Sequence, residues 1–214
     1  MRLGIVVTFF ALVSCSGEVA ENGEISPVSL SAIEESKEGR SLCAQGDVSF
    51  LNAHQFGDLA PLVGRCYLGT PVGGSASQAK DIQFWSIALG GAAITIEHAL
   101  EDGSYGGISY IYPSAKPDAF TYVYITNAGF HTQGTIIVND DQSFTASETV
   151  NGHPTITEVR SISRFDETGL TSMTSEFLDQ GEWQPGPAFT HEVTTEPFPR
   201  LLMPIPASLP TPDE

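Results

Sequence analysis

The chain has 214 residues and is strongly acidic, with 9 Lys and Arg against 26 Asp and Glu and a formal net charge of −17 at pH 7. Phosphate backbones repel such a chain, and it shows no basic stripe, aromatic RNA-binding motif or cysteine–histidine finger, so nucleic acid is excluded as an expected partner. Charged residues make up only 16%; the Thr, Ser, Gly and aromatic content suits β-structure more than helices, and the acidity serves solubility or a salty habitat before it serves binding.

The apolar run from Gly4 to Val13 comes after a lone Arg2. It fits a secretory h-region and falls short of the ~20 residues a bilayer span needs. The junction Leu12-Val13-Ser14-Cys15 resembles a bacterial lipoprotein signal, in which an apolar residue and two small ones precede the cysteine that receives the lipid. An ordinary signal peptide cut near Ser16 is the alternative. The resemblance implies an exported protein anchored in a membrane through Cys15. Because Ser16 and not aspartate comes after the cysteine, it also implies the outer membrane, facing the periplasm. A second acyl chain turns marginal membrane binding into stable anchoring.

Cys43 and Cys66 remain. In an oxidising compartment an even pair suggests a disulfide, whose loop would constrain the unfolded chain by roughly 3 kcal/mol in the entropy model. Two buried free thiols are the other reading. No third thiol or histidine pattern makes a zinc site, so no metal is expected.

Beyond the signal segment, residues 1–15, composition divides the chain into three parts. Residues 16–46 are small, polar and acidic and read as a tether, with a weak helical stretch in SLSAIEESKEG. Residues 47–195 hold nearly all the apolar and aromatic content. Residues 196–214 carry Pro197, Pro199, Pro204, Pro206, Pro210 and Pro212; such a tail cannot continue a sheet and is either an extended strap or disordered.

In the central part, SFLNAHQFGDLAPLVG (49–64) has helical spacing and predicts a short helix ending near Gly64. After it, turn signals recur at GG 90–91, EDG 101–103, PSAKPD 113–118, NAG 127–129, NDD 139–141, NGHP 151–154, DETG 166–169 and DQGEWQPGP 179–187. The runs between them are rich in β-branched and aromatic residues and predict about ten antiparallel strands: 65–70, 81–89, 92–100, 105–112, 119–126, 131–138, 143–150, 155–165, 170–178 and 188–195. An all-β up-and-down barrel is the economical closure of such a meander, because it removes both exposed edges; a two-sheet sandwich is the alternative.

LAPLVGRCYLGTP (59–71) and DQGEWQPGPAFTHEV (179–193) carry a further resemblance. A short helix running into the first strand, and a last hairpin with Gly-x-Trp before an aromatic closing strand, are similar to the calycin or lipocalin-like barrels. The likeness is to bacterial families of unknown function, with the haem-binding nitrobindin barrels as more distant relatives. Cys66 stands where those families have a tryptophan, which implies a floor plugged in another way, with a Cys43–Cys66 bridge tying the tether to it. No cofactor is expected; haem enters only as what the distant relatives imply, with His98 or His191 as its histidine.

Strand parity assigns side chains to the barrel interior. Ile94, Ile96, His98 and Leu100 share one face, as do Phe144, Ala146, Glu148 and Val150, and Phe189, His191 and Val193; Ile108, Tyr110 and Tyr112 form another set. The expected ligand cavity is therefore lined by Trp85, Tyr110, Tyr112 and Tyr122, with His98, Glu148, Arg160 and His191 as polar contacts. These groups could instead satisfy one another in a filled barrel, or face water. His54, His131 and His153 fall in or near turns and read as solvated, and NDDQS (139–143) as a plain turn.

No Gly-x-Ser-x-Gly elbow, His-Glu-x-x-His, phosphate loop or dinucleotide fingerprint occurs, which weighs against common hydrolases and nucleotide enzymes. The favoured expectation is a membrane-tethered binding module for a small apolar or amphipathic molecule. The alternatives are a lyase or isomerase using Glu148 or His98 as general base, and a solid barrel that contacts a partner through its surface or tail. Oligomeric state is not legible.

Overall fold

The computed structural model describes residues 50–73, 79–116 and 119–199, with side-chain detail from Gln55 onward. The leader, the tether with its expected helix, Cys15, Cys43 and the tail beyond 199 lie outside the described residues.

Ten strands succeed one another in chain order: β1 Cys66–Pro71, β2 Asp81–Ala88, β3 Ala93–Leu100, β4 Gly106–Pro113, β5 Ala119–Thr126, β6 His131–Asn139, β7 Ser143–Asn151, β8 Ile156–Asp166, β9 Gly169–Asp179 and β10 Glu182–Thr194. Each pairs antiparallel with the next, and β10 returns to β1, so the sheet closes as an up-and-down barrel of calycin-like kind and not a sandwich. Nine strands agree with the expected ranges to within one residue at each end.

The tenth strand begins at Glu182 and not at 188: EWQPGP belongs to the strand and not to the turn. The turn is confined to Gln180 and Gly181, both at positive φ (51° and 88°), as a two-residue hairpin of type I′ requires. Pro185 and Pro187 are tolerated because β10 outruns β1. Among the described residues, 182–187 have strand pairing only with β9, and the register slips between Pro185 and Ala188. One-sided pairing and a bulge are where a strand can carry a residue without an N–H.

The expected helix is a 3-10 helix, Phe50–Leu62, interrupted where Gly57 takes φ 52° and ψ −127°. It plugs one end of the barrel. Phe56, Leu59, Leu62 and Val63 are buried against Tyr67, Trp85, Ile94 and Ile111, each large apolar side chain contributing ~1.5–3 kcal/mol by leaving water. The Gln55 amide donates to the Gly91 carbonyl, the Tyr67 hydroxyl donates to the Leu62 carbonyl at 3.1 Å, and the Gly64 N–H donates to the Trp85 carbonyl at 2.7 Å. Burial pushes the Tyr67 hydroxyl up to about 12. Tyr67 and Trp85 meet edge to face, with ring centres 6.5 Å apart, and form the floor of the barrel above the plug.

On the outer face of β1–β3 a smaller cluster joins Leu68, Ile82 and Ala99 to Phe198, which is 4% exposed. Phe198 thereby holds the first described residues beyond β10 against that face.

Candidate functional site

Above the plug the inward side chains stop filling the barrel and leave a cavity of about 530 Å³. Its lower wall is apolar: Trp85, Ile96, Ile111, Ile136, Phe144 and Leu170. Its upper rim includes Tyr105, Phe130 and His153, from the loops that join β3 to β4, β5 to β6 and β7 to β8. A belt of polar side chains lies between, on strands whose unbroken alternation aims every second residue inward.

Asp81, at the start of β2, is 3% exposed and pairs diagonally across the β2–β3 ladder with His98. Its Oδ1 lies 2.9 Å from His98 Nδ1. His98 Nε2 lies 2.5 Å from the Tyr124 hydroxyl, and that hydroxyl lies 3.0 Å from Tyr105 Oη. Four residues from β2, β3, β5 and a rim loop thus form one hydrogen-bonded line. Burial pushes the Asp81 carboxyl up, but the adjoining His98 ring and the hydrogen bonds from His98 and Gln83 outweigh it, so the group sits below its ordinary value. Burial holds the Tyr124 phenol well above its ordinary value, and Tyr105 adds to the rise.

Gln83 anchors the other side of Asp81. Its Oε1 accepts the Trp85 indole N–H at 3.2 Å, and because indole nitrogen is only a donor, the amide orientation is fixed. Gln83 Nε2 then donates to Asp81 Oδ2 at 3.0 Å and to His191 Nε2 at 3.3 Å. His191 must be a neutral acceptor at Nε2, with its proton on Nδ1, which is buried and makes no hydrogen bond. Burial pushes the His191 ring down to about 4, against the pull of the Asp81 charge.

Glu148 enters from β7. Thr132 donates its hydroxyl to Glu148 Oε2. The buried Tyr122 hydroxyl is close enough to interact with this carboxyl but makes no well-formed hydrogen bond. Register explains the proximity: Gly134 on β6 stands between Tyr122 on β5 and Glu148 on β7. A Cβ at Gly134 would run into the Ser147 carbonyl, so the two strands approach closely there only because that residue is glycine. Burial raises the Glu148 carboxyl above its ordinary value, and the Thr132 and Tyr122 hydroxyls only partly oppose it.

The structure gathers Trp85, His98, Tyr122 and Glu148 on the cavity wall and places His191 directly behind Gln83. Three expected contacts face outward instead. Tyr110 and Tyr112 are 37% and 40% exposed, because β4 turns Ser109 and Ile111 inward; the aromatic pair occupies the solvent face, where it serves strand propensity and not burial. Arg160 lies outside the barrel, bonded through Nε to Glu176 Oε2 at 2.6 Å and stacked 4.1 Å over the Trp183 ring. The cause is a register shift between Ile156 and Glu158. Ile156 faces in before it and Val159 and Ser161 face in after it, so parity counted from Ile156 inverts.

Sequence reasoning missed Asp81, Gln83, Tyr105, Tyr124, Phe130, Thr132 and His153. His153 was expected in solvent and is instead a half-buried rim residue. Tyr124 shares the parity of Tyr122 and was legible by that rule. Tyr105, Phe130 and His153 sit in turns, where no periodicity marks a face.

The cavity histidines do not suit haem. His98 has both ring nitrogens engaged. His153 Nδ1 accepts the backbone N–H groups of Thr155 and Ile156 at 3.3 and 3.0 Å, so Nε2 carries the ring proton. His191 accepts from Gln83 at Nε2 and carries its proton on Nδ1. None of the three presents a free lone pair to an iron. Among the described residues no group of three His, Cys, Asp or Glu side chains is arranged to hold a metal ion.

No family model matches the chain, and neither does any curated protein. Among solved structures, the crystal structure of Rv2717c from M. tuberculosis is similar at 17% identity and a TM-score of 0.49, over 64% of this chain and 94% of that one.

Proposed function

We propose that the protein is a binding module that takes one small apolar or amphipathic molecule into the upper half of its barrel. The observation that supports this best is the 530 Å³ cavity, which lies within the ordinary range for small-molecule sites, ~300–1,000 Å³, and joins apolar walls to a few convergent polar groups. Such a hollow interior also weighs against the solid-barrel alternative. In this reading Cys15 carries the lipid that holds the barrel at the outer membrane facing the periplasm, and a Cys43–Cys66 disulfide ties the tether to the start of β1.

The test is native mass spectrometry, with an absorbance spectrum, on the full chain purified from its own envelope. A stoichiometric bound mass is the expected result; an empty protein that takes up no apolar probe would end the binding reading. Intact mass of membrane-extracted protein should show an acyl increment on Cys15, and its absence would remove the anchor.

A second reading is supported by the Asp81–His98–Tyr124–Tyr105 line. A buried carboxylate that orients a histidine, whose far nitrogen meets a hydroxyl, is an arrangement able to move a proton to or from a bound substrate. In that enzyme, of lyase or isomerase type, Tyr105 is the cavity end of the relay, and Tyr124→Phe abolishes turnover while leaving ligand affinity within about twofold.

A further inference from the structure

We propose that the molecule held in the barrel carries a single positive charge, as an amine or quaternary ammonium head seated on Glu148 among the rings of Tyr105, Tyr122 and Tyr124. The inference rests on the binding reading above and narrows it to one class of ligand.

Ionised Glu148 has no cation inside the cavity to balance it unless the ligand brings one. Two acids line the wall, Asp81 and Glu148, and the lining holds no Lys or Arg. Asp81 has two hydrogen-bond partners, His98 at 2.9 Å and Gln83 at 3.0 Å. Glu148 has only hydroxyl neighbours, a bond from Thr132 and the nearby Tyr122. A buried carboxylate is stable when paired with a cation, and within these walls the cation must come with the ligand. Without one, burial raises the carboxyl above its ordinary value.

The surrounding surfaces suit the same head. The faces of tyrosine, phenylalanine and tryptophan rings attract ammonium groups, most strongly where water is excluded. Tyr105, Tyr122, Tyr124 and Phe130 line the wall around the polar belt, and Trp85 lies at the floor. Ile96, Ile111, Ile136 and Phe144 offer the apolar volume that a hydrocarbon tail fills. A chain with a net charge of −17 also draws cations toward it before contact. A fatty acid fits the apolar wall but not the polar belt, because its carboxylate would meet ionised Glu148 with no basic side chain to separate them.

The test compares three probes of one chain length, decyltrimethylammonium, decanol and decanoate, by isothermal titration of the full chain at pH 5 and pH 8. Decyltrimethylammonium should bind at least about tenfold more tightly than decanol at pH 8, the size expected for one close charge pair, with decanoate weakest. Its own charge does not change with pH. Its affinity should therefore rise from pH 5 to pH 8 as Glu148 ionises, while decanol shows no such rise.

Other groups face the same space: Asp81 from β2, His98 from β3, Tyr105 and His153 from the rim loops, and Tyr122 and Tyr124 from β5. Glu148→Gln separates them from Glu148. It should remove both the preference for the cation and its pH dependence, and leave decanol affinity within about twofold. A pH dependence that persists in this variant would assign the effect to the histidines and overturn the proposal. So would wild-type protein that binds decanol as tightly as the cation, a result that needs no variant; either outcome leaves the binding reading intact. Failure of all three probes to bind would overturn that reading as well.

Discussion

The two ends of the barrel are walled by the same strands and differ in what those strands place inside. At the plugged end Phe56, Leu59, Leu62, Ile94 and Ile111 are fully buried, and the polar Tyr67 hydroxyl and Trp85 indole each have a hydrogen-bond partner. At the other end the same alternation delivers Asp81, His98, Tyr124 and Glu148 around a space, and two buried polar atoms there or close behind it, Tyr122 Oη and His191 Nδ1, have no partner. Stability is concentrated where the interior is filled. An unfilled, partly unsatisfied interior forgoes some of that stability, and in the binding reading proposed above an occupant would restore it.

The contrast breaks most sharply at the plug. Leu62→Ala should lower unfolding free energy by about 2–5 kcal/mol while leaving probe affinity of the folded protein unchanged. An unmoved urea midpoint would show that the filled end does not hold the barrel together.

The next effect belongs to the polar end and depends on pH. His191 has a folded value near 4 against ~6.5 unfolded, so between those values the unfolded chain binds more protons. Stability should therefore be fully present above pH ~6.5 and fall by about 2–3 kcal/mol as the pH drops toward 4. Glu148 acts with the opposite sign, since its raised carboxyl costs stability as pH rises above its unfolded value near ~4.3. Thermal unfolding across this range should show the loss on the acid side in wild-type protein and a flatter profile in His191→Gln.

Smaller still is Tyr124→Phe, which strips a partner from His98 Nε2 and from Tyr105 and should cost about 1–2 kcal/mol, read by urea unfolding. The smallest effect lies outside the barrel. Arg160→Ala removes an exposed pair with Glu176 and a stack on Trp183, about 0.5–1 kcal/mol together. Calorimetric titration should find the cavity's affinity unchanged, which separates the two faces of a single strand.

How much of this was legible depended on whether a strand kept its count. β3 and β7 alternate without interruption, and the parity that put His98 and Glu148 inside was correct. β8 carries a bulge after Ile156, and the same rule sent Arg160 to the wrong side. On β4 the inward face is Ser109 and Ile111 beside Gly107, less apolar by composition than the outward Tyr110 and Tyr112, so hydrophobicity pointed the wrong way. Asp81 was invisible for another reason. An acid directly after a turn reads as solvated, and its partner His98 lies across the β2–β3 hairpin, where sequence spacing does not reveal that the two side chains meet.

The unequal lengths of β1 and β10 bear on how the protein behaves when crowded. Closure removes free edges except where one strand outruns its neighbour, and among the described residues 182–187 of β10 extend past β1. An unpaired strand edge is a template on which a second chain can add by backbone hydrogen bonds. Pro185 and Pro187 have no N–H to offer, and the slip in register at Ala188 bends the strand out of line. The seam of the barrel is thereby a poor starting point for aggregation, which would matter at the high local density that the proposed lipid anchor imposes.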